Sequence, residues 1–321
     1  MRLPSIDEIE SAAERLAAVF PATPQISWPL LNERLGCETW VKHENHTPLG
    51  AFKIRGAFLY VSWLKQSQPD VRGVVAATRG NHGQGVAYAA ARNGIASVIV
   101  VPRGNSVEKN AAMRALGAEL IEHGEDFQES LEFARKLSTE RGYPIVESFH
   151  PQLMLGTASY GLEFFKGTPE LDTVYVPIGL GSSICGVVAA REALGLKTCV
   201  VGVVSSLSPS YALSFKAGKL VESPSTSLLG DGLSCRRPNE QALELIGKYV
   251  EKVIEVTDEE LAEAIRIYLV TTHNLAEGAG AAALAGALKS SEANQGKRIG
   301  IVLTGGNIDQ ALLARVLNRE L

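Results

Sequence analysis

Short apolar, β-branched runs recur along this chain, each followed by a glycine-containing turn and an alanine-rich stretch. That rhythm narrows the folds open to it more than any other feature. The strand VVAA (74–77) leads into GNHGQGVAYAAARNG, SVIVV (97–101) into a helix through NAAMRALG (110–117), and AELIEH into FQESLEFARKL (127–137). A second series opens with TVYVPI (173–178), continues through the helix GVVAAREALG to CVVGVV (199–204), then KVIEV (252–256), and ends on RIGIVLT (298–304). Strands this apolar on both faces belong in a parallel sheet covered by helices on both sides. The expected class is α/β, with two domains, each an open, mostly parallel sheet flanked by helices and carrying its sites at the carboxyl ends of the strands. The stretch HPQLMLGTASYG (150–161) is the expected crossing point between the two series. Residues 205–240, rich in Ser, Pro and Gly, read as a long irregular excursion of the sort that is often functional.

Composition narrows the function classes. Of 321 residues, 45% are hydrophobic and 21% charged, ordinary values for a globular protein. The net charge of -4, with Lys and Arg scattered and aromatics at 6%, gives no surface for a polyanion, so nucleic acid is not an expected partner. Cys37, Cys185, Cys199 and Cys235 have neither CxxC spacing nor histidine company, and are expected as buried or half-buried free thiols. The opening MRLPSIDEIESAAERL has no secretory pattern; Ser5 and Glu8 instead form a capping box, as do Thr257 and Glu260 later on. No apolar run approaches the ~20 residues of a membrane span. A cytoplasmic protein with no membrane partner is therefore expected.

Three glycine-rich segments stand at strand ends. HTPLGAFKIRGA (46–57) places Lys53 among apolar and small residues, where desolvation would lower its pKa and free its amine for Schiff-base chemistry. Read from this segment alone, the same lysine is more readily a surface residue at a helix start. TRGNHGQG (78–85) presents backbone N–H groups at a helix N-terminus, suited to a carboxylate or phosphate, or else forms only a tight turn. PIGLGSSICG (177–186) repeats that arrangement with the hydroxyls of Ser182 and Ser183 added. Its spacing is not GxGxxG, and CVVGVVSS ends without the acidic residue that holds a ribose, so a lone phosphate fits better than a dinucleotide.

FKIRGA, GNHGQGVA, PIGLGSSICG and LTGGNID, in that order, resemble the fold-type-II pyridoxal-phosphate enzymes, and among these the threonine and serine dehydratases and serine racemases. The resemblance spans roughly residues 40–310. It implies pyridoxal 5′-phosphate as cofactor, and a larger cofactor-binding domain from 1–52 and 154–321 with a smaller domain at 53–153 that carries the substrate-carboxylate loop. Lys53 is then the Schiff-base lysine and the base that removes the Cα proton, Phe52 lies against the ring, and Asn81 bonds its phenolic oxygen. Gly179, Leu180, Gly181, Ser182 and Ser183 form the phosphate cradle, although the family usually shows a run of glycines there. Thr304 faces the pyridine nitrogen, and Thr78, Arg79, Gly80, Asn81 and His82 receive the substrate carboxylate. Glu277 matches a family glutamate near the ring.

The implied activity is an ammonia-lyase reaction on a hydroxy-amino acid, threonine or serine by default, giving a 2-oxo acid and ammonia. A neutral hydroxyl at Thr304 cannot enforce a protonated ring, which favours β-elimination over transamination. The alternatives are a 3-hydroxyaspartate dehydratase, an amino-acid racemase of the same fold, a β-replacement synthase and, outside pyridoxal chemistry, a dehydrogenase. Racemases of this group carry a serine where this chain has Arg79, and a permanently protonated arginine is a poor proton shuttle. The segment VSSLSPS (204–210) offers no carboxylate for the divalent-cation site of some relatives, so no metal is expected. The resemblance also implies a homo-oligomer, a dimer by expectation, while the length of 321 residues leads to the expectation of no feedback inhibition through an added C-terminal regulatory domain.

Overall fold

A computed structural model describes residues 1–321. Nine strands form two sheets: β1 Gln25–Ser27, β2 Glu38–His43, β3 Gly73–Ala77, β4 Ala96–Val101, β5 Glu119–Glu122, β6 Thr173–Pro177, β7 Cys199–Ser205, β8 Lys252–Val256 and β9 Arg298–Leu303. The larger sheet has the order β1-β2-β9-β6-β7-β8 and the smaller the order β3-β4-β5. Every pairing is parallel except β1 with β2, where Gln25 faces Lys42.

The helices are α1 Ile6–Ala17, α2 Pro29–Leu35, α3 Lys53–Ser67, α4 Asn81–Arg92, α5 Val107–Ala115, α6 Phe127–Arg141 and α7 Pro151–Lys166. They continue with α8 Ser182–Ala193, α9 Ser210–Ala217, α10 Glu240–Tyr249, α11 Asp258–Thr272, α12 Gly278–Lys289, α13 Ser291–Asn294 and α14 Gln310–Leu317. Both capping boxes form, Ser5 with Glu8 and Thr257 with Glu260. No helix is long and apolar enough to cross a membrane.

Apolar cores cover both faces of the larger sheet, as its doubly apolar strands require. Neighbouring residues of β7 show the alternation: Val203 joins the core beneath α11 and α12, and Val204 the one beneath α7, α8 and α10. Each such aliphatic side chain contributes about 1.5–3 kcal/mol when fully buried. The expected crossing point at 150–161 is the start of α7, opened by the His150 side chain as N-cap and Pro151 in the first turn, and α7 lies against both α3 and α8.

Four sequence expectations need correction. The short strands β1 and β2 lie outside the expected rhythm, because β2 carries Lys42 in a position that only a buried ion pair makes tolerable. Helix α8 starts at Ser182 rather than at Gly186, which puts both serines in its first turn. The 205–240 excursion contains α9 and a single 3-10 turn at Asp231–Leu233. Cys37, Cys185 and Cys235 are buried free thiols, but Cys199, the first residue of β7, is exposed because the strand enters the sheet from the surface there.

Candidate active site

The carboxyl ends of β3, β6 and β9 open onto one cleft of about 1640 Å³, lined by Phe52, Lys53, residues 78–82, residues 179–183, Glu277 and Thr304. A single small ligand takes a pocket of roughly 300–1,000 Å³, so there is room for a cofactor and an amino acid together. Every site residue expected from the sequence lines this cleft.

Lys53 is the first residue of α3. Its amine sits 4.8 Å from the centroid of the buried Phe52 ring, which in turn meets Tyr160 edge-on at 6.2 Å. The side chain keeps some contact with the cleft, but protein surrounds it at longer range. That burial lowers its pKa to about 8, against the opposing pull of Glu277. Because the neutral amine is the nucleophile, cofactor-free protein should capture an added aldehyde cofactor at a rate that rises with pH and reaches half its maximum near pH 8. Stopped-flow absorbance checks this; a rate still rising through the ordinary lysine range near 10.4 would contradict it.

Two helix N-termini aim at the cleft. At α8 the backbone N–H groups of Gly179, Leu180, Gly181, Ser182 and Ser183 donate to no protein acceptor, which leaves a row of donors at the positive end of a helix dipole. Gly181 sits at φ 97°, where a side chain would be strained, and an added Cβ would lie 2.6 Å from that of Ala242. Leu180 departs from a run of glycines without closing this cradle, since its carbonyl is held by the Tyr211 hydroxyl at 3.1 Å. The Ser183 hydroxyl is paired with Tyr160 at 2.6 Å.

At α4 the set of free donors is narrower than residues 78–82. The Thr78 N–H donates to the Val100 carbonyl and the Gly80 N–H to the Thr78 hydroxyl, leaving the N–H groups of Arg79, Asn81 and His82. The His82 ring is buried; burial and nearby Lys53 lower its pKa to about 4, so it is neutral and its Nε2 lies 3.4 Å from the Val146 carbonyl. This suits a scaffold rather than a base. Arg79 is exposed, with its guanidinium 3.8 Å from Asp231. Thr304, at the end of β9, is buried and donates to the Ala279 carbonyl at 3.3 Å.

Several further residues around the cleft take part in its charge and hydrogen-bond network. Asp231 lies in the 205–240 excursion and Asn307 in the LTGGNID motif, each without an assigned role, and Lys109 comes from an unremarkable polar helix. Lys109 lies 3.5 Å from Asp231 and 3.7 Å from Glu277. Asn307 donates to the Asn81 side-chain oxygen at 2.8 Å, and the Asn81 amide nitrogen donates to Glu277 at 2.5 Å. Behind Lys53, Arg55 is wholly buried and ion-paired with Glu44 and Glu163.

An amine made nucleophilic by burial, a row of free N–H donors beside it and a neutral hydroxyl facing the same space fit a phosphorylated aldehyde cofactor. Residues 18–305 match the family described as pyridoxal-phosphate dependent enzyme, and the chain belongs to it. Pyridoxal phosphate is accordingly its cofactor.

Among individual relatives, the chain is 36% identical to an L-threonine ammonia-lyase of Thermotoga maritima over 99% of its own length and 79% of the relative's. It is 28% identical to an L-threo-3-hydroxyaspartate ammonia-lyase of Saccharomyces cerevisiae, covering 99% of this chain and 98% of that one. The solved structure of maize serine racemase superposes with a TM-score of 0.90 at 28% identity, covering 99% and 98% of the two chains.

Proposed function

We propose that this enzyme removes water and ammonia from a hydroxy-amino acid, threonine or serine by default, to release a 2-oxo acid. The observation that carries the reading is the low-pKa amine of Lys53 set between two helix N-termini with free N–H donors and opposite a neutral hydroxyl. The resemblance to ammonia-lyases supports the same reaction.

Bound pyridoxal phosphate supplies the electron sink that makes the Cα–H of an amino acid acidic. Residues 179–183 would bind its phosphate, Phe52 would lie against its ring, Asn81 would donate to its phenolic oxygen and Thr304 would face its nitrogen. The N–H groups of Arg79, Asn81 and His82 would bind the substrate carboxylate and so orient Cα toward Lys53, whose neutral Nζ takes the proton. A hydroxyl rather than a carboxylate at position 304 leaves the ring nitrogen without a strong anionic partner, which favours prompt loss of the β-hydroxyl. We read 53–153 as a smaller domain carrying the carboxylate loop, with the rest of the chain holding the cofactor. The test is direct: the purified protein should show the visible band of a lysine-bound cofactor, and a panel of hydroxy-amino acids should release 2-oxo acid and ammonia. A colourless protein that added cofactor leaves colourless would end this reading.

Arg79 favours a second reading. It reaches into the cleft, paired with Asp231 only at 3.8 Å, and a carboxylate on the substrate side chain would compete for it, as in 3-hydroxyaspartate. On that reading Arg79→Ala lowers kcat/KM for 3-hydroxyaspartate about tenfold or more while leaving threonine within a few-fold, the ordinary strength of a charge-assisted contact. Equal small effects on both substrates would leave the threonine and serine reading standing alone. In either case Arg79 disfavours racemisation, which needs a second group able to exchange a proton on the face opposite Lys53.

A further inference from the structure

The cofactor contact expected of Asn81 depends on which end of its amide faces the cleft, and the surrounding residues decide that orientation. The Asn81 oxygen accepts from Asn307, whose amide nitrogen is also tied to the Leu49 carbonyl at 2.8 Å. The Asn81 nitrogen donates to Oε1 of Glu277, the residue that precedes α12. A carboxylate only accepts, so an ionised Glu277 holds the nitrogen on its side and leaves the second N–H for the cofactor's phenolic oxygen. A protonated Glu277 can donate and no longer demands the nitrogen on its side, which leaves the Asn307 contact alone to hold the amide.

Glu277 is buried, with a side chain 8% exposed, so it needs a counter-charge to stay ionised. The nearest cation is Lys109 of α5, 3.7 Å from Oε2 and also 3.5 Å from Asp231. Its path is built in: the lysine stem crosses the backbone of Gly80, where any added Cβ would lie 2.5 Å from Lys109 Cδ. The first turn of α5 is anchored from the other side, by the Ser106 hydroxyl on Asp309 and by the Gln310 N–H donating to Glu108 at 2.9 Å. Lys109 therefore links the carboxylate loop, the Asp231 turn and the start of α12.

We propose that Lys109 is a positioning residue, which supplies the counter-charge to Glu277 and through it sets Asn81 with its nitrogen toward the cofactor. This rests on the pyridoxal-phosphate reading of the cleft. The charges around Glu277 are few. Lys109 faces it from α5, Asp231 from the 3-10 turn and Lys53 from α3, with Arg79 and Asp309 one step further out against Asp231 and Lys109. Burial leaves the Glu277 pKa raised overall, with Lys109 the largest influence opposing it, while Glu277 and Asp231 raise that of Lys109 against its own burial. Removing the ammonium therefore moves Glu277 toward the protonated form.

Infrared difference spectra of the cofactor-free protein against Glu277→Gln report the protonation of this one carboxyl without any catalysis. The wild-type difference should show no protonated carboxyl at pH 7. In Lys109→Met the protonated carboxyl should persist to a pH at least ~1 unit higher than in wild type, the usual effect of a cation at this range, and Lys109→Arg should restore it. With cofactor and a hydroxy-amino acid, the acid limb of kcat/KM should move up with the carboxyl in Lys109→Met and return in Lys109→Arg, which a purely structural lysine would not produce. A carboxyl already protonated in the wild type at pH 7 overturns the proposal even if Lys109→Met fails to fold. So does a carboxyl and acid limb unmoved in a folded Lys109→Met. Failure of the cofactor reading is distinct, because the wild type would then show no visible band at any pH.

Discussion

Lys53→Ala is expected to remove the visible band of the lysine-bound cofactor and to lower kcat by at least ~10³-fold, with the fold intact. Base catalysis alone contributes about 10²–10⁴-fold, and Lys53 is the amine in the cleft that burial has brought to a pKa of about 8. His82 does not replace it. Its pKa of about 4 leaves it a weak base, and its Nε2 faces the Val146 carbonyl. The phosphate cradle is untouched by the change, so the variant should still retain cofactor by its phosphate, detectable by equilibrium dialysis. Lys53→Arg should be equally inactive, because a guanidinium keeps its proton. A variant within tenfold of wild-type kcat would remove Lys53 from the chemistry.

The second large effect is on stability. Arg55 and Glu44 are fully buried, and the guanidinium donates through Nε and Nη2 to Glu44 at 2.7 and 2.9 Å. It also donates to Glu163 at 2.7 and 2.9 Å and to Ser159 at 3.0 Å. Lys42, buried too, reaches Glu163 at 2.6 Å. Two cations thus balance two carboxylates in a network joining β2, α3 and α7, two residues from Lys53. Arg55→Met should destabilise the protein by about 3–5 kcal/mol, because breaking a buried pair strands its partners without compensation. Denaturant unfolding measures this; a loss below about 1 kcal/mol would mean that water or rearrangement replaces the network.

The pH dependence of that stability has a definite sign. Burial would raise the Glu163 pKa, but Arg55 and Lys42 outweigh it and hold the carboxyl below its ordinary range. A carboxyl depressed in the folded state contributes stability above its unfolded pKa and loses it as pH falls through the folded value. The wild type should therefore lose stability in acid, below the ordinary glutamate range, and Glu163→Gln should flatten that loss.

What the sequence alone determined is local. The alternation of apolar runs with glycine turns and alanine-rich helices demands covered parallel sheets, because such strands have no polar face to show to water. The glycine-rich turns at 78–85 and 177–186 announce helix N-termini with free N–H donors, since small residues leave the backbone uncovered. These are properties of neighbouring residues, and the two sheets and both capping boxes follow from them. Lys53 is different: alone it is one of many lysines, and only the order of four motifs across the chain gives it a role.

Tertiary structure decided whatever depends on charges brought together from afar. Lys109, Asp231 and Glu277 lie more than forty residues apart in sequence and meet only because α5, the Asp231 turn and the start of α12 converge on one cleft. Lys42 and Arg55 look like surface residues until Glu44 and Glu163 close around them. The physical reason is common to both cases. A hydrophobic pattern is read from adjacent positions, whereas the energy of a buried charge depends on its partner's distance, and that distance exists only in the folded chain.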